Sequence, residues 1–176
     1  MNRPHIARPL EDEYAPAMQA YLDDVEGDDL FGTLAAQLRE IDARFASLGD
    51  ERALHRYAPD KWSVKEVLTH VADGERVFAY RALCIARGDE TPLPAFDEQL
   101  YAAASMADHR PLAGILRELR ALREATIALL ESLDEEALSR RGIANARVVS
   151  TRALGWILAG HFAHHMRVLR ERYGVE

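Results

Sequence analysis

Three of the seven histidines fall in one short stretch, WILAGHFAHHMRVLRERY, as His161, His164 and His165. Apolar residues at Leu154, Ile157, Leu158, Phe162, Val168 and Leu169 recur at i, i+3, i+4, which predicts an amphipathic helix. On that helix His161 and His165 share a face, displaced by about 40° and roughly 6 Å along the axis. Two imidazoles so placed can converge on one divalent ion. His164, at i+3, lies on the same face, so spacing alone leaves it open as the partner of His161. An H-x-x-x-H by itself is a weak signal, because most helical histidines are surface groups or hydrogen-bonded core groups.

A histidine elsewhere gives the pair more weight. His70, in VLTHVADGERVF, stands beside Val67, Val71, Gly74 and Val77 at the edge of another apolar stripe. Helix bundles commonly assemble metal sites from side chains on facing helices. Three imidazoles with open water positions form a catalytic type of site, whereas a structural zinc takes four protein ligands.

Asp73, one turn beyond His70, can reach a ligand imidazole, a water or a substrate, and is the candidate catalytic residue. The competing reading is an exposed acid near a helix N-terminus, a favourable place for negative charge. Arg81 lies on nearly the same face as His70 but about 16 Å down the helix. It is expected to be a buried or rim ion-pair partner. Cys84 is about 21 Å from His70 along that helix, outside any shared site, and reads as a small core residue. His5, His55 and His109 fall in tail or loop contexts without a ligand-spaced partner.

The elements that must position these residues are helical. Tyr14, Met18, Tyr21 and Val25 predict a short helix from about Ala15 to Val25. Phe31, Leu34, Leu38, Ile41, Phe45 and Leu48 predict the first long helix, with Gly49 placed to end it. Ser63 with Glu66 three residues on is a capping box, and Trp62 with Val67 matches its hydrophobic staple. That second long helix should run to about Arg87, ended by Gly88. Phe96 to Met106 reads as a short helix or helical linker. Pro111 opens the third long helix, with the stripe Leu112, Ile115, Leu116, Leu119, Leu122, Thr126, Leu129, Leu130 and Leu133. Asp134 to Arg141 adds a turn, Gly142 to Val149 is a connection with extended character, and Ser150 caps the final helix.

These patterns predict an all-α fold, a four-helix bundle with an extra short N-terminal helix. The link of roughly 20 residues between the second and third long helices is long for a hairpin. It can span the bundle, which allows those two helices to run parallel. Residues 1–12, polar and Pro-containing, are expected to form a flexible tail. The chain is expected to be one domain, 1–176. The extra N-terminal apolar row motivates a homodimer.

Composition removes several classes of function. The chain has 176 residues with 48% hydrophobic and 29% charged, an ordinary globular composition. A formal charge of −7 argues against nucleic acid or an anionic membrane as a partner, since both favour a basic surface. A small-molecule substrate is the expected partner. The single cysteine excludes an intrachain disulfide and a Cys-rich zinc knuckle. No apolar run approaches the roughly 18 residues that suggest a membrane helix. MNRPHIARPLEDEY lacks the apolar core of a secretory signal, so a cytoplasmic location is expected.

Four stretches together carry a resemblance to a known family: KWSVKEVLTHVADGERVFAYRALCIARGD, FDEQLY, LRELRALREATIALLESL and GWILAGHFAHHMRVLRERYG. They resemble the DinB superfamily, the YfiT-like metal-dependent enzymes, over a core of residues 28–174. The resemblance implies a four-helix bundle with up-down-down-up connectivity. It implies a metal triad of one histidine in the second helix and H-x-x-x-H in the last, which fall here on His70, His161 and His165. It also implies one divalent metal ion and, for some relatives, a low-molecular-weight thiol cosubstrate.

A divalent ion on neutral imidazoles can bring a water's pKa near 7, which implies a hydrolase. It can equally ionise a thiol, which implies a thiol-dependent transferase or isomerase. Imidazole ligands do not separate zinc, nickel, iron and manganese. The alternative is a non-catalytic metal-binding stress-response protein.

Overall fold

Four amphipathic helices carry the fold in the computed structural model, which describes residues 3–176. The first, α2 (Leu30–Phe45), follows a short helix α1 (Gln19–Asp23) and is capped by the Asp29 carboxylate, which accepts from the Gly32 N–H at 2.9 Å. The second, α3 (Val64–Ala86), starts at the expected capping box. Ser63 Oγ accepts from the Glu66 N–H at 3.1 Å, and the Ser63 N–H donates to Glu66 Oε2 at 2.8 Å. The crossover holds α4 (Glu98–Ala104) and leads to α5 (Leu112–Glu131), with Pro111 just before its first turn. After α6 (Glu135–Ser139), the last helix α7 (Thr151–Tyr173) is capped by Ser150 Oγ, which accepts from the Ala153 N–H at 3.0 Å. Each such cap contributes about 0.5–2 kcal/mol.

Named contacts fix the helix directions. The Tyr173 hydroxyl donates to the Trp62 carbonyl at 2.8 Å, placing the end of α7 at the start of α3. Lys65 Nζ donates to the Arg110 carbonyl at 2.7 Å, and Glu75 meets Arg123 farther on, so α3 and α5 start together and run parallel. Gln37 donates to the Ala159 carbonyl and Arg44 to the Val175 carbonyl, both at 2.8 Å, so α2 runs parallel to α7. The four long helices are therefore up, down, down, up.

The core has two apolar clusters along the bundle. One gathers Leu30, Leu34, Phe78, Leu130, Leu154 and Trp156. The other gathers Ile41, Val67, Ile115, Leu119, Phe162 and Leu169. On every long helix a polar residue stands where one cluster gives way to the other: Gln37, Glu75, Arg123 and His161, all buried. Arg123 donates to both Glu75 carboxylate oxygens, each at 2.9 Å, and also to Gln37 Oε1. Gln37 in turn donates to the Ala159 backbone of α7, so the layer ties all four helices together. In α5 the buried stripe runs Leu112, Ile115, Leu116, Leu119, Arg123, Thr126, Leu130; Leu122, expected in the core, is only partly buried.

The N-terminal segment corrects an expectation. The flexible tail predicted over residues 1–12 is packed over residues 3–12; Met1 and Asn2 lie outside the described residues. Ile6 is 2% exposed, and the Ala7 carbonyl accepts the buried Trp156 indole N–H at 3.0 Å. Arg8 donates to the carbonyls of Leu22 and Gly27 at 3.2 and 2.8 Å, and its guanidinium stacks over Trp156. Polar backbone and side-chain groups that would be unmet in the core explain the docking. The helix expected from Ala15 to Val25 is a 3-10 turn, Pro16–Met18, followed by α1. Tyr14 and Val25 are buried, and Met18 and Tyr21 pack on the chain's own core. The apolar row that motivated a dimer is thus used within the chain.

Two further departures concern connections. The first long helix ends at Phe45, before the expected stop at Gly49. The connection over 142–149 is a hairpin, β1 (Arg141–Ala144) paired antiparallel with β2 (Arg147–Ser150). Leu93 adds to its outer edge through hydrogen bonds to the Ile143 carbonyl and from the Asn145 N–H.

Candidate metal centre

α3 and α7 pack antiparallel, and their closest approach is set by a glycine. A Cβ built on Gly74 would lie 2.6 Å from His161 Cε1 and 3.0 Å from its Nδ1. The imidazole of His161 therefore packs directly against α3 at Gly74, one turn from His70. His161 Nε2 lies 3.0 Å from His70 Nε2, and His70 Nε2 lies 3.1 Å from His165 Nε2. The triad predicted from sequence is thus brought together, with His70 and His161 buried and His165 half-buried.

The arrangement fits one divalent ion. Nitrogen ligands at the usual zinc distance around a tetrahedral ion stand about 3.3 Å apart. The observed spacings are within a few tenths of that. A hydrogen-bonded cluster is a poorer account, since His70 Nε2 has one lone pair or one proton and two facing ring nitrogens. Burial holds all three imidazoles neutral, the state a metal ligand requires. It pushes His70 down to about 4, with Glu98 opposing and His164 reinforcing the shift. It pushes His165 down to about 3, reinforced by His70 and His164. His161 is held well below its ordinary value by burial first, then by its histidine neighbours and the field of Arg123.

His164 is turned away from the other three. Its Nδ1 lies 3.4 Å from Asp24 and 3.2 Å from Arg167, on the flank covered by α1. Of the two histidines that the i+3 and i+4 spacings left open, His165 is the one whose ring nitrogen faces His70. Asp73 is also placed apart. It faces Arg76 at 3.4 Å, and burial raises its pKa, modulated by Arg76, Glu118 and Arg110 toward α5. It is not among the residues lining the cavity beside the triad, because at i+3 it leaves His70 on the opposite flank from Gly74. Cys84 is partly buried against the core, as expected.

Next to the triad lies a cavity of about 320 Å³. Trp62 forms one wall, its ring centroid 4.8 Å from that of His70, and Tyr21 and Phe78 meet His161 edge-on at 5.5 and 5.6 Å. Glu98 and Gln99 of α4 and Asn145 of the hairpin complete its rim. Tyr21, Glu98 and Asn145 are site residues the sequence did not single out, because they arrive from three separate connections, Glu98 within the FDEQLY stretch whose spacing gives no ligand or catalytic pattern. A second cavity, about 280 Å³, shares Trp62, Gln99 and His165 with the first. The Gly160 position, next to His161, gives α1 its seat: a Cβ there would fall 1.9 Å from the Tyr21 carbonyl oxygen.

Comparison with known proteins agrees with this geometry. A family profile described as the DinB superfamily matches residues 33–169, which include all three histidines. A protein of Oceanobacillus iheyensis named "Putative metal-dependent hydrolase" is 28% identical over 122 residues, 68% of this chain and 69% of its own. YfiT from Bacillus subtilis superimposes with a TM-score of 0.70 at 20% identity, over 98% of this chain and 100% of that one. It is described as a probable metal-dependent hydrolase with an unusual four-helix bundle topology. A mycothiol-dependent maleylpyruvate isomerase matches with a TM-score of 0.59 at 16% identity, over 82% of this chain and 61% of that one. The two structural likenesses establish the shared fold.

Proposed function

This chain belongs to the DinB superfamily, and on that premise we propose that it is a metal-dependent hydrolase whose single divalent ion is held by His70, His161 and His165. The observation that carries the reading is the convergence of three Nε2 atoms from two helices, two on buried histidines and one on half-buried His165, within reach of one ion. The name of the Oceanobacillus relative supports the same reaction class. A divalent ion in that place supplies Lewis acidity, which acidifies a water or a thiol and polarises a carbonyl.

The protein's own groups do the rest. Gly74 lets His161 lie against α3, and burial, with a smaller contribution from the Arg123 guanidinium held by Glu75 and Gln37, keeps that imidazole neutral. Trp62, Tyr21 and Phe78 pack around the triad and line the cavity beside it, limiting bulk water there and strengthening the electrostatic field. The cavity between these walls admits a small-molecule substrate to the triad. Its volume lies at the small end of the range for ligand pockets, about 300–1,000 Å³.

A second reading is a thiol-dependent transferase or isomerase, favoured by the mycothiol-dependent neighbour of the same fold. An activated ester such as p-nitrophenyl acetate, offered with and without a low-molecular-weight thiol, separates the two. The hydrolase reading expects turnover by the zinc-loaded protein without thiol, abolished by chelator and by His161→Ala. Turnover that needs the thiol favours the second reading. Metal that raises only the melting temperature would point instead to a non-catalytic binder.

A further inference from the structure

Arg81 has a different environment from the one its sequence position suggested. It is 7% exposed, yet no carboxylate among the described residues lies within ion-pair distance. Its Nη2 donates to the Pro94 carbonyl at 2.7 Å, and its guanidinium lies 5.8 Å from the Phe78 ring centroid. Those contacts use one of five N–H donors. Arg123, the other deeply buried arginine, shows what such a group ordinarily requires, a carboxylate held by two parallel hydrogen bonds. Burial without a counter-charge lowers the pKa of Arg81, while the nitrogens it leaves unbonded keep access to solvent in the cavity. The residue nonetheless lines the cavity that contains His70, His161 and His165. The only carboxylate among the residues lining that cavity, Glu98, is exposed at the rim.

Resting on the reading of the triad as the reacting centre, we propose that Arg81 is the anion anchor of this cavity and that the substrate is a small organic acid bound through its carboxylate. Helical geometry puts the Arg81 and His70 backbones about 16 Å apart, and an arginine side chain leans back toward the helix N-terminus, that is, toward the triad. A ligand held at Arg81 therefore extends toward the histidines along the cavity. The walls between them, Phe78, Phe96, Trp62 and Tyr21, suit an apolar or aromatic body. The planar guanidinium fork matches a carboxylate better than a lysine would. Asn145 adds a neutral amide on the same rim.

The test uses calorimetric titration of the full-length, chelator-dialysed protein with phenylacetate and its neutral isostere phenylacetamide. Removing the metal confines any charge preference to the protein's own groups. Wild type should bind the acid at least about tenfold more tightly than the amide, as a charge-assisted pair in a desolvated site requires. Arg81→Gln should bring the two affinities together while leaving zinc affinity and the melting curve close to wild type. Should Arg81→Gln not fold, Arg81→Lys decides: an intermediate preference supports the anchor, and an unaltered one overturns it. Equal binding of acid and amide by wild type, or no binding of either up to about 10 mM, overturns it as well. Inorganic phosphate competing as well as phenylacetate would overturn the carboxylate assignment. A wild type that binds zinc without preferring the acid loses the anchor alone, and one that prefers the acid without binding zinc loses the metal reading alone.

Discussion

The position that most tightly limits the metal centre carries no side chain. At an ordinary helix-interior position, Gly→Ala gains about 1 kcal/mol of helix propensity. At Gly74 the new methyl would meet His161 Cε1 at 2.6 Å, and overpacking of that kind costs about 1–3 kcal/mol. The steric cost wins, and the group displaced is one of the three proposed ligands. Gly74→Ala is therefore expected to lower stability modestly and metal affinity severely. Thermal melts and a chelator-competition titration read the two effects separately. A variant with wild-type metal affinity would show that the α3–α7 approach does not govern the triad. The three histidines themselves were legible in the sequence, because H-x-x-x-H is a local pattern and His70 interrupts an apolar stripe. Gly74 was visible only as a neighbour of His70, since its role depends on a helix about ninety residues away. Arg81 is buried as expected but lacks the ion-pair partner expected for it among the described residues, because an absent counter-ion leaves no trace in sequence.

At the scale of elements, the helices were read well and the connections poorly. Capping residues Ser63 and Ser150 mark the starts of α3 and α7 by local chemistry, and both caps form. The hairpin was missed because its strands are four residues each and its turn, Asn145-Ala146, has positive φ at both positions without the usual glycine. The mid-bundle polar layer left a legible signal that was passed over: Arg123 falls in step with Leu116, Leu119, Thr126 and Leu130 on the buried face of α5. This layer joins the four helices at the level of the triad and makes a strong prediction. Arg123→Met strands the Glu75 carboxylate and Gln37 in the core. Loss of one partner from a buried pair costs about 3–5 kcal/mol. Denaturant titration should show the midpoint falling with an unchanged slope. The double variant Arg123→Met, Glu75→Leu should recover much of the loss, and a double variant no better than the single would argue that the layer is not held by that ion pair.

Across the whole molecule, Glu13 and the triad histidines make stability fall in acid in the absence of metal. Burial opposes ionisation of Glu13, but hydrogen bonds from Arg152 and Ser150 and the charges of Arg152 and Arg141 outweigh it, so its pKa is lowered. Its contribution is therefore present above the ordinary carboxylate value and is lost as pH falls through the lower folded value. The histidines act earlier. Below about pH 6.5 the unfolded chain takes up protons that buried His70 and His165 refuse until about 4 and about 3. The melting temperature of chelated protein should fall steadily from neutral pH to about pH 5, before Glu13 contributes. A flat profile over that interval would mean the imidazoles are hydrated in the metal-free protein.

The same neutral imidazoles underlie the central claim, which is open to direct measurement by calorimetric zinc or nickel titration of chelator-dialysed protein at neutral pH. The account predicts one ion per chain at micromolar or tighter affinity, and a melting temperature that rises with free metal as RT ln(1 + [L]/Kd) requires. His70→Ala, His161→Ala and His165→Ala should each weaken binding severely, while His164→Ala leaves it intact. No binding by wild type at micromolar metal, or equal binding by the His161→Ala variant, would contradict it.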